Sequence, residues 1–356
     1  MKILSVIIPT YNMEALLPRC LDSLVSAEGV EQLEVCVVND GSKDHSLQVA
    51  QMYQKKYPDV VTVIDKPNGN YGSTINAALP VVKGKYVKIL DSDDYFDTVA
   101  LDAFINHINA IDSDVIHTIF TQLGKNGMRE VVKYNTMGRE PYEYGKVYEL
   151  DDVLKGGYIR FFVMHALAYR TDLLRAIEYR QTEGISYTDT EWSCMPIVHA
   201  RTICFLSDNV YQYNLDRDGQ TMAPEVIIKS IPQIEKVNES ILSYYLKWRN
   251  SCSTIRQNWF KLYFENRVRN MYKLFLLDMP RGDFHAEEMQ RMDDKLSVIC
   301  QQLDLHPRLY PENKILRTEY IAYWHKYHKR WPVWYERFNK GVDVIVKWLY
   351  VKFIRR

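Results

Sequence analysis

The chain has 356 residues, 47% of them hydrophobic and 25% charged, with only 15 Gly and 13 Pro, a composition that excludes a wholly disordered, collagen-like or low-complexity protein. Its 45 Lys and Arg cancel its 45 Asp and Glu, which argues against a nucleic-acid binder working through overall basicity. The length suits about two domains at roughly 100–200 residues each, with ample chain for a buried core.

The opening segment, residues 1–9, has one basic residue and an apolar run ended by Pro9; it reads as a first strand rather than a signal peptide. Up to about residue 120, strand-length apolar runs at 3–8, 33–38, 60–64, 86–90 and 115–119 alternate with helically spaced stretches at 14–26, 46–56, 73–82 and 98–111. This β-α-β-α order predicts a mostly parallel sheet covered by helices, with ligands bound beyond the carboxyl ends of the strands. Residues 120–222 are less regular, with turn signals at 124–127 and 156–157 and strand-like stretches at 162–169 and 210–213. They read as the second half of the same domain. From Pro224 onward helical patterning dominates, over 225–248, 254–277, 285–302 and 315–329 and again after Pro332. The expected organisation is a catalytic domain over 1–222 and a helical region over 223–356. Six cysteines, Cys20, Cys36, Cys194, Cys204, Cys252 and Cys300, show no C-x-x-C or paired His spacing, so they read as reduced, mostly buried thiols.

The first strand runs into Pro9-Thr10-Tyr11-Asn12 and the second into Asn39-Asp40-Gly41-Ser42-Lys43-Asp44. Each alone reads as a turn. At successive strand ends they acquire a shared purpose, since a Tyr ring can stack on a nucleobase while a carboxylate or amide reads its edge. The strongest local signal is the segment 84–94, in which an apolar strand delivers Asp91, Asp93 and Asp94 into one loop. Hard divalent cations take oxygen ligands from a few carboxylates and from substrate phosphates. Capping of the helix that follows explains Asp97 and leaves Asp91 and Asp93 unexplained.

Four segments occur in order: 5–12 (SVIIPTYN), 39–42 (NDGS), Asn68-Gly69 with Asn76-Ala77, and 90–94 (LDSDD). Together they resemble the signature of family 2 glycosyltransferases with a GT-A fold, across about residues 1–222. The resemblance implies an α/β GT-A domain that moves a sugar from a nucleotide-sugar donor, most often a UDP-sugar, to a glycan or lipid-linked acceptor with inversion at the anomeric carbon. It implies that Pro9, Tyr11 and Asp40 hold base and ribose within a nucleotide site that includes Asn12, Asn39, Asn68, Gly72 and Asn76. It also implies that Asp91 and Ser92 meet the ribose and that Asp93, with Asp91, meets a Mn²⁺ or Mg²⁺ ion. Asn39 stands where many relatives have Asp, and Asn70 where the loop often carries Gly.

Inversion requires a general base for the acceptor hydroxyl. The family places it about a hundred residues after the metal motif, where this chain has residues 184–192 (GISYTDTEW). Asp189 is the expected base and Glu191 the alternative; a helix N-cap at Thr188 or Asp189, with Trp192 in the core, is the competing structural role. Downstream, Arg217 in the segment 217–221 (RDGQT) offers a guanidinium for the leaving diphosphate, although a plain exposed turn fits the same residues. His165, in an apolar stretch, reads as a core residue or as part of an acceptor pocket.

Residues 321–356 hold nine basic against two acidic side chains, a net of +7. Phe338, Val342, Ile345, Leu349 and Phe353 share one helical face, and no run approaches the roughly 18–20 apolar residues of a membrane span. The expectation is a helix docked on protein or lying on anionic lipid, the latter suiting a cytoplasmic protein peripheral at the inner face of the membrane. Two other readings stay open: a catalytically silent relative serving assembly or tethering, and a sugar nucleotidyltransferase. The latter would carry a Gly-rich basic loop where Pro9-Thr10-Tyr11-Asn12 stands.

Overall fold

The computed structural model describes residues 1–124, 127–133, 142–157, 159, 161–215, 224–305 and 319–334. Arg217 and the amphipathic segment 338–353 lie outside the described residues. The chain divides into two compact units, Met1–Gln220 with Ser230–Gln257, and Thr221–Lys229 with Asn258–Arg356.

The first unit opens with four parallel strands, β1 (Leu4–Thr10), β2 (Leu33–Asp40), β3 (Val61–Lys66) and β4 (Tyr86–Ile89), joined through helices α1 (Leu17–Val25), α2 (Ser46–Lys56) and α3 (Asn70–Ala78). Every residue of β1, β2 and β4 is buried, as continuous β-branched runs require when helices cover both faces of a sheet. Helix α1 buries Leu17, Cys20, Leu21, Leu24 and Val25, the single stripe its spacing dictates. After β5 (Tyr95–Phe96) comes α4 (Thr98–Ala110), capped by Asp97, whose carboxylate accepts from the Ala100 N–H at 3.0 Å, so the sequence-based assignment of this acid to capping holds.

The remaining strands are β6 (Val115–Leu123), β7 (Arg129–Val132), β8 (Val147–Glu149), β9 (Leu167–Arg170) and β10 (Thr202–Asn214), giving the sheet order β3-β2-β1-β4-β9-β6-β10-β5. Strand β9 runs antiparallel between β4 and β6. That insertion carries the preceding 3-10 turn, Met164–Ala166, to the carboxyl end of β4. The expected strand over 162–169 is therefore a turn followed by a shorter strand. Helices α5 (Leu150–Lys155), α6 (Thr171–Ala176) and α7 (Asp189–Cys194) complete the sequence up to β10.

The helical stretch expected over 225–248 is broken at Ser230 into α8 (Pro224–Lys229) and α9 (Ile231–Trp248). Pro232 accounts for the break, because its missing N–H is tolerated in a first helical turn and not in a helix interior. Helices α10 (Thr254–Lys273), α11 (Ala286–Gln302) and α12 (Glu319–Tyr327) follow. In the second unit Met271, Tyr272, Met289, Met292, Leu296, Ile321 and Trp324 are buried. Asp293, buried in the same unit, accepts from the Tyr272 hydroxyl and faces His325 Nε2 at 3.0 Å. Burial raises this carboxyl, but the hydrogen bonds from His325 and Tyr272 outweigh it and hold it below its usual range. Among the described residues no helix is long and apolar enough to cross a membrane.

Helix α3 is fixed to the segment that precedes α7. A Cβ on Gly72 would stand 2.2 Å from the Thr182 carbonyl oxygen. Asn76 Nδ2 donates to the Gln181 carbonyl at 2.8 Å and to Glu183 at 2.8 Å, and its Oδ1 accepts from the Gln181 N–H at 2.8 Å. Gly72→Ala is expected to lower the unfolding free energy by about 1–3 kcal/mol through overpacking against backbone. Urea denaturation measures this, and an unchanged midpoint would contradict the packing described.

Candidate active site

Strand β4 ends two residues before Asp91, so Asp91, Asp93 and Asp94 emerge together at the carboxyl edge of the sheet. The loop is held by donors from distant elements. The Tyr71 hydroxyl, from the first turn of α3, donates to Asp91 Oδ1 at 2.8 Å. The Tyr211 hydroxyl, from β10, donates to Asp94 Oδ2 at 2.6 Å and accepts from the Asp91 N–H at 3.2 Å. The Asn214 N–H donates to Asp94 Oδ1 at 2.7 Å. Arg19 of α1 donates to the Asp93 carbonyl at 2.7 Å while lying over the Tyr95 ring, 4.7 Å from its centroid.

Asp94 is 1% exposed. Burial first, then the charges of Asp93 and Asp91, push its carboxyl well above the usual range, and the two hydrogen bonds only partly offset this. Tyr71 and Tyr211 are likewise raised, by burial and then by Asp91, so both phenols stay protonated and keep donating.

His165 completes the cluster: one of its ring nitrogens and a carboxylate oxygen from each of Asp91 and Asp94 lie within 4.8 Å of one another. Its ring stacks on Tyr213 at 4.2 Å and meets the edge of Tyr211 at 4.7 Å. Burial, then the nearby Lys88 charge, drives its pKa down to about 3, which leaves a neutral imidazole with a lone pair to offer. Two carboxyl groups and a neutral imidazole are a mixed oxygen and nitrogen donor set that fits Mn²⁺ better than Mg²⁺, which takes oxygen ligands. A cation there would also relieve the repulsion that raises Asp94. Asp93, expected to join Asp91 as a ligand, is not a member of this group.

Beneath the cluster Lys88 is fully buried, donating to the carbonyls of His165 at 2.7 Å and Leu167 at 3.2 Å, and standing 5.8 Å from the Tyr211 ring centre. Burial lowers it to about 7. Lys88 ties the strand that carries the acids to the turn that carries His165. Neither Tyr71 nor Lys88 was singled out from the sequence, although a lysine inside an otherwise apolar strand is itself a signal.

The expected nucleotide residues lie along the ends of β1 and β2, where Thr10 pairs with Asn39 and Asn39 with Asp65. Pro9 is buried within β1, and Tyr11, just beyond it, is 45% exposed. Asn12 has a φ of 55°; its Oδ1 accepts from the Lys43 N–H at 2.7 Å and its own N–H donates to Ser42 Oγ at 3.1 Å, joining the two loops. Asn39 Nδ2 donates to Asp65 at 2.7 Å. Asp40 Oδ1 accepts from Lys66 Nζ at 2.7 Å and from the Gly69 N–H at 2.9 Å, and Asn68 Nδ2 donates to the Asp40 carbonyl at 2.9 Å. Gly41 has a φ of +69° and a Cβ there would lie 2.9 Å from the Asn68 backbone nitrogen, so this turn requires glycine. Ser92 is buried beside the acids, whereas Gly72 and Asn76 face residues 181–183 as described above.

The two base candidates are in contrasting settings. Glu191 is fully buried, its carboxylate accepting from the Thr182 N–H at 2.7 Å and the Thr182 hydroxyl at 2.6 Å. Asp189 starts α7 and is partly exposed, and its charge bears on Tyr71 and Tyr213, the same rings that border Asp91 and His165. Thr188 occupies the N-cap position without a capping side-chain bond, and Trp192 is core, packed edge-on to Tyr169 and Tyr179.

Residues 5–177 match the family described as glycosyl transferase family 2. This stretch of the chain is a family 2 glycosyltransferase domain. It is similar to a poly(ribitol-phosphate) beta-glucosyltransferase of Bacillus spizizenii, 32% identical over 226 residues, covering 63% of this chain and 34% of that protein. A second relative is the poly(ribitol-phosphate) beta-N-acetylglucosaminyltransferase TarS of Staphylococcus aureus, 31% identical over 221 residues, covering 62% of this chain and 36% of that protein. The chain thus spans about a third of the length of the curated relatives it matches. Among solved structures, S. aureus TarS 1–349 in complex with UDP-GlcNAc superposes with a TM-score of 0.53 at 20% identity, and its complex with UDP with 0.56 at 21%, each covering 87% of this chain and 90% of the other. The expected GT-A class is therefore the fold observed, a mostly parallel sheet between helices followed by a helical C-terminal region.

Glu191→Ala leaves the Thr182 N–H and hydroxyl without their acceptor. The expected cost is about 1–3 kcal/mol of stability, read from urea unfolding. Unaltered stability would show that these bonds do not fix α7.

Proposed function

We propose that the protein is an inverting glycosyltransferase that moves a sugar from a UDP-sugar to a hydroxyl of a polymer or lipid-linked glycan. The observation that carries the reading is the contrast at α7: Asp189 is partly exposed and electrostatically linked to the rings around Asp91, while Glu191 is engaged inside the fold. Asp189 takes the proton of the acceptor hydroxyl as its oxygen bonds to the anomeric carbon and the bond from that carbon to the diphosphate oxygen breaks. Tyr11 supplies a stacking face for the base, and Asp40 an acceptor for its edge. Asp91, Asp94 and His165, with Asp93 beside them, would hold a divalent ion, which would supply neutralisation of the charge on the leaving diphosphate. Arg217 is assigned a share of that neutralisation on sequence grounds. The relatives' names support a phosphate-linked polyol polymer as acceptor, and the +7 segment at 321–356 supports contact with an anionic membrane surface.

The test is transfer from a panel of UDP-sugars to poly(ribitol phosphate) with Mn²⁺, for wild type and Asp189→Asn. The expected result is transfer from at least one donor, reduced by about 10²–10⁴ in the variant with UDP affinity unchanged. Full turnover in Asp189→Asn removes the base assignment, and failure of the wild type with every nucleotide-sugar removes the activity.

A further inference from the structure

Lys88 is fully buried, and among the described residues no carboxylate bonds to it. Burying a basic group away from any acid is costly, and a methionine would fill much the same volume without that cost. What a methionine cannot do is donate hydrogen bonds. Lys88 Nζ donates to the His165 carbonyl at 2.7 Å and to the Leu167 carbonyl at 3.2 Å, so its donors go to the turn that brings an imidazole to the acids.

The main chain leaves the placing of that turn to this side chain. Strands β4 and β9 pair through Tyr86 with Arg170 and Val87 with Tyr169, and no further among the described residues. Lys88 is the next residue of β4, and His165 lies just ahead of β9. The two Lys88 bonds thus continue the attachment past the end of the ladder. Other side-chain ties to the turn are weaker: Thr118 Oγ1 donates to the Ala166 carbonyl at 3.3 Å, and the Tyr71 hydroxyl lies 2.9 Å from Met164 Sδ, a poor acceptor. The His165 ring itself is packed against Tyr213, Tyr211 and Phe120, contacts that are less directional than a hydrogen bond.

We infer that Lys88 is a positioning residue for metal selectivity: by holding the turn of His165 against the acid loop, it adds a nitrogen donor to the oxygens of Asp91 and Asp94 and makes the site favour Mn²⁺ over Mg²⁺. This rests on the reading of Asp91, Asp94 and His165 as an ion site. Mg²⁺ holds to oxygen ligands and water, so an imidazole adds little to its binding, whereas Mn²⁺ accepts the nitrogen. Groups behind a metal ligand orient it, and their loss weakens the metal that the ligand serves. Any positive charge on Lys88 acts alike on two divalent ions at one site. The ratio of the two affinities therefore isolates the tether from the charge.

The experiment is a Mn²⁺ titration followed by paramagnetic resonance, with UDP equimolar to protein and Mg²⁺ as the displacing ion, on wild type, Lys88→Met, His165→Ala and the double variant. Spin-echo modulation of the bound Mn²⁺ reports whether a nitrogen is coordinated. Wild type is expected to favour Mn²⁺ and to show the nitrogen. In Lys88→Met the Mn²⁺-to-Mg²⁺ affinity ratio should fall about tenfold or more and the nitrogen signal should fade, while Mg²⁺ affinity is not weakened. Once His165 is Ala, Lys88→Met should change the ratio no further. Equal weakening of both ions would make Lys88 a scaffold residue, equal strengthening would reduce it to a repelling charge, and either overturns the inference, as does an unchanged ratio. If Lys88→Met does not fold, Lys88→Gln decides, since its amide nitrogen falls one atom short of the lysine's reach: a ratio at the wild-type value overturns the inference. A wild type without preference for Mn²⁺, or without the nitrogen signal, refutes this inference and leaves the glycosyltransferase reading standing. A wild type that binds neither ion refutes the ion site as well.

Discussion

Three carboxylates within four residues at the end of a buried strand impose the constraint around which this domain is arranged. Without compensation the charges of Asp91, Asp93 and Asp94 repel at short range in a low dielectric. The fold answers with donors from several sides: Tyr71 from α3, Tyr211 and the Asn214 N–H from β10, and Arg19 from α1, which bonds the Asp93 carbonyl. These donors orient the acids without neutralising them. Asp94 stays raised, and His165 is kept neutral beside it. The remaining imbalance is one that a divalent cation corrects.

The same elements tie the two halves of the chemistry together. The first turn of α3 places Tyr71 on Asp91, and the next residue, Gly72, with Asn76, holds residues 181–183. Thr182 then receives Glu191, which sets α7, and α7 begins with Asp189. The acid nominated as the base's alternative thus becomes the anchor that aims it. A continuous run of contacts leads from the acid loop to the proposed base, so positions far from either reacting atom carry the geometry.

Much of this was legible in the sequence because the signals were local. Successive apolar runs gave β1 to β4 within a residue or two, Asp97 stood at the N-cap its position demanded, and the turn residues at 39–42 marked a strand end. What escaped depended on long-range topology. Only the antiparallel insertion of β9 between β4 and β6 brings His165 and the Lys88 contacts to the acids. Tyr71 is one of 26 tyrosines, and nothing in its neighbourhood marks it as the one that reaches Asp91. Glu191 and Asp189 are two residues apart on one short helix, which turns one inward and leaves the other partly exposed, a distinction the 3.6-residue period allows but does not assign.

The central claim is that the acid cluster is a divalent-cation site completed by the nucleotide. An electron paramagnetic resonance titration of Mn²⁺ into the purified protein, with and without UDP, tests it most directly. The account predicts loss of the free-ion signal at a saturable site, tightened by UDP and weakened in Asp91→Asn and His165→Ala. Free Mn²⁺ that remains fully visible at stoichiometric protein, with UDP present, would contradict it.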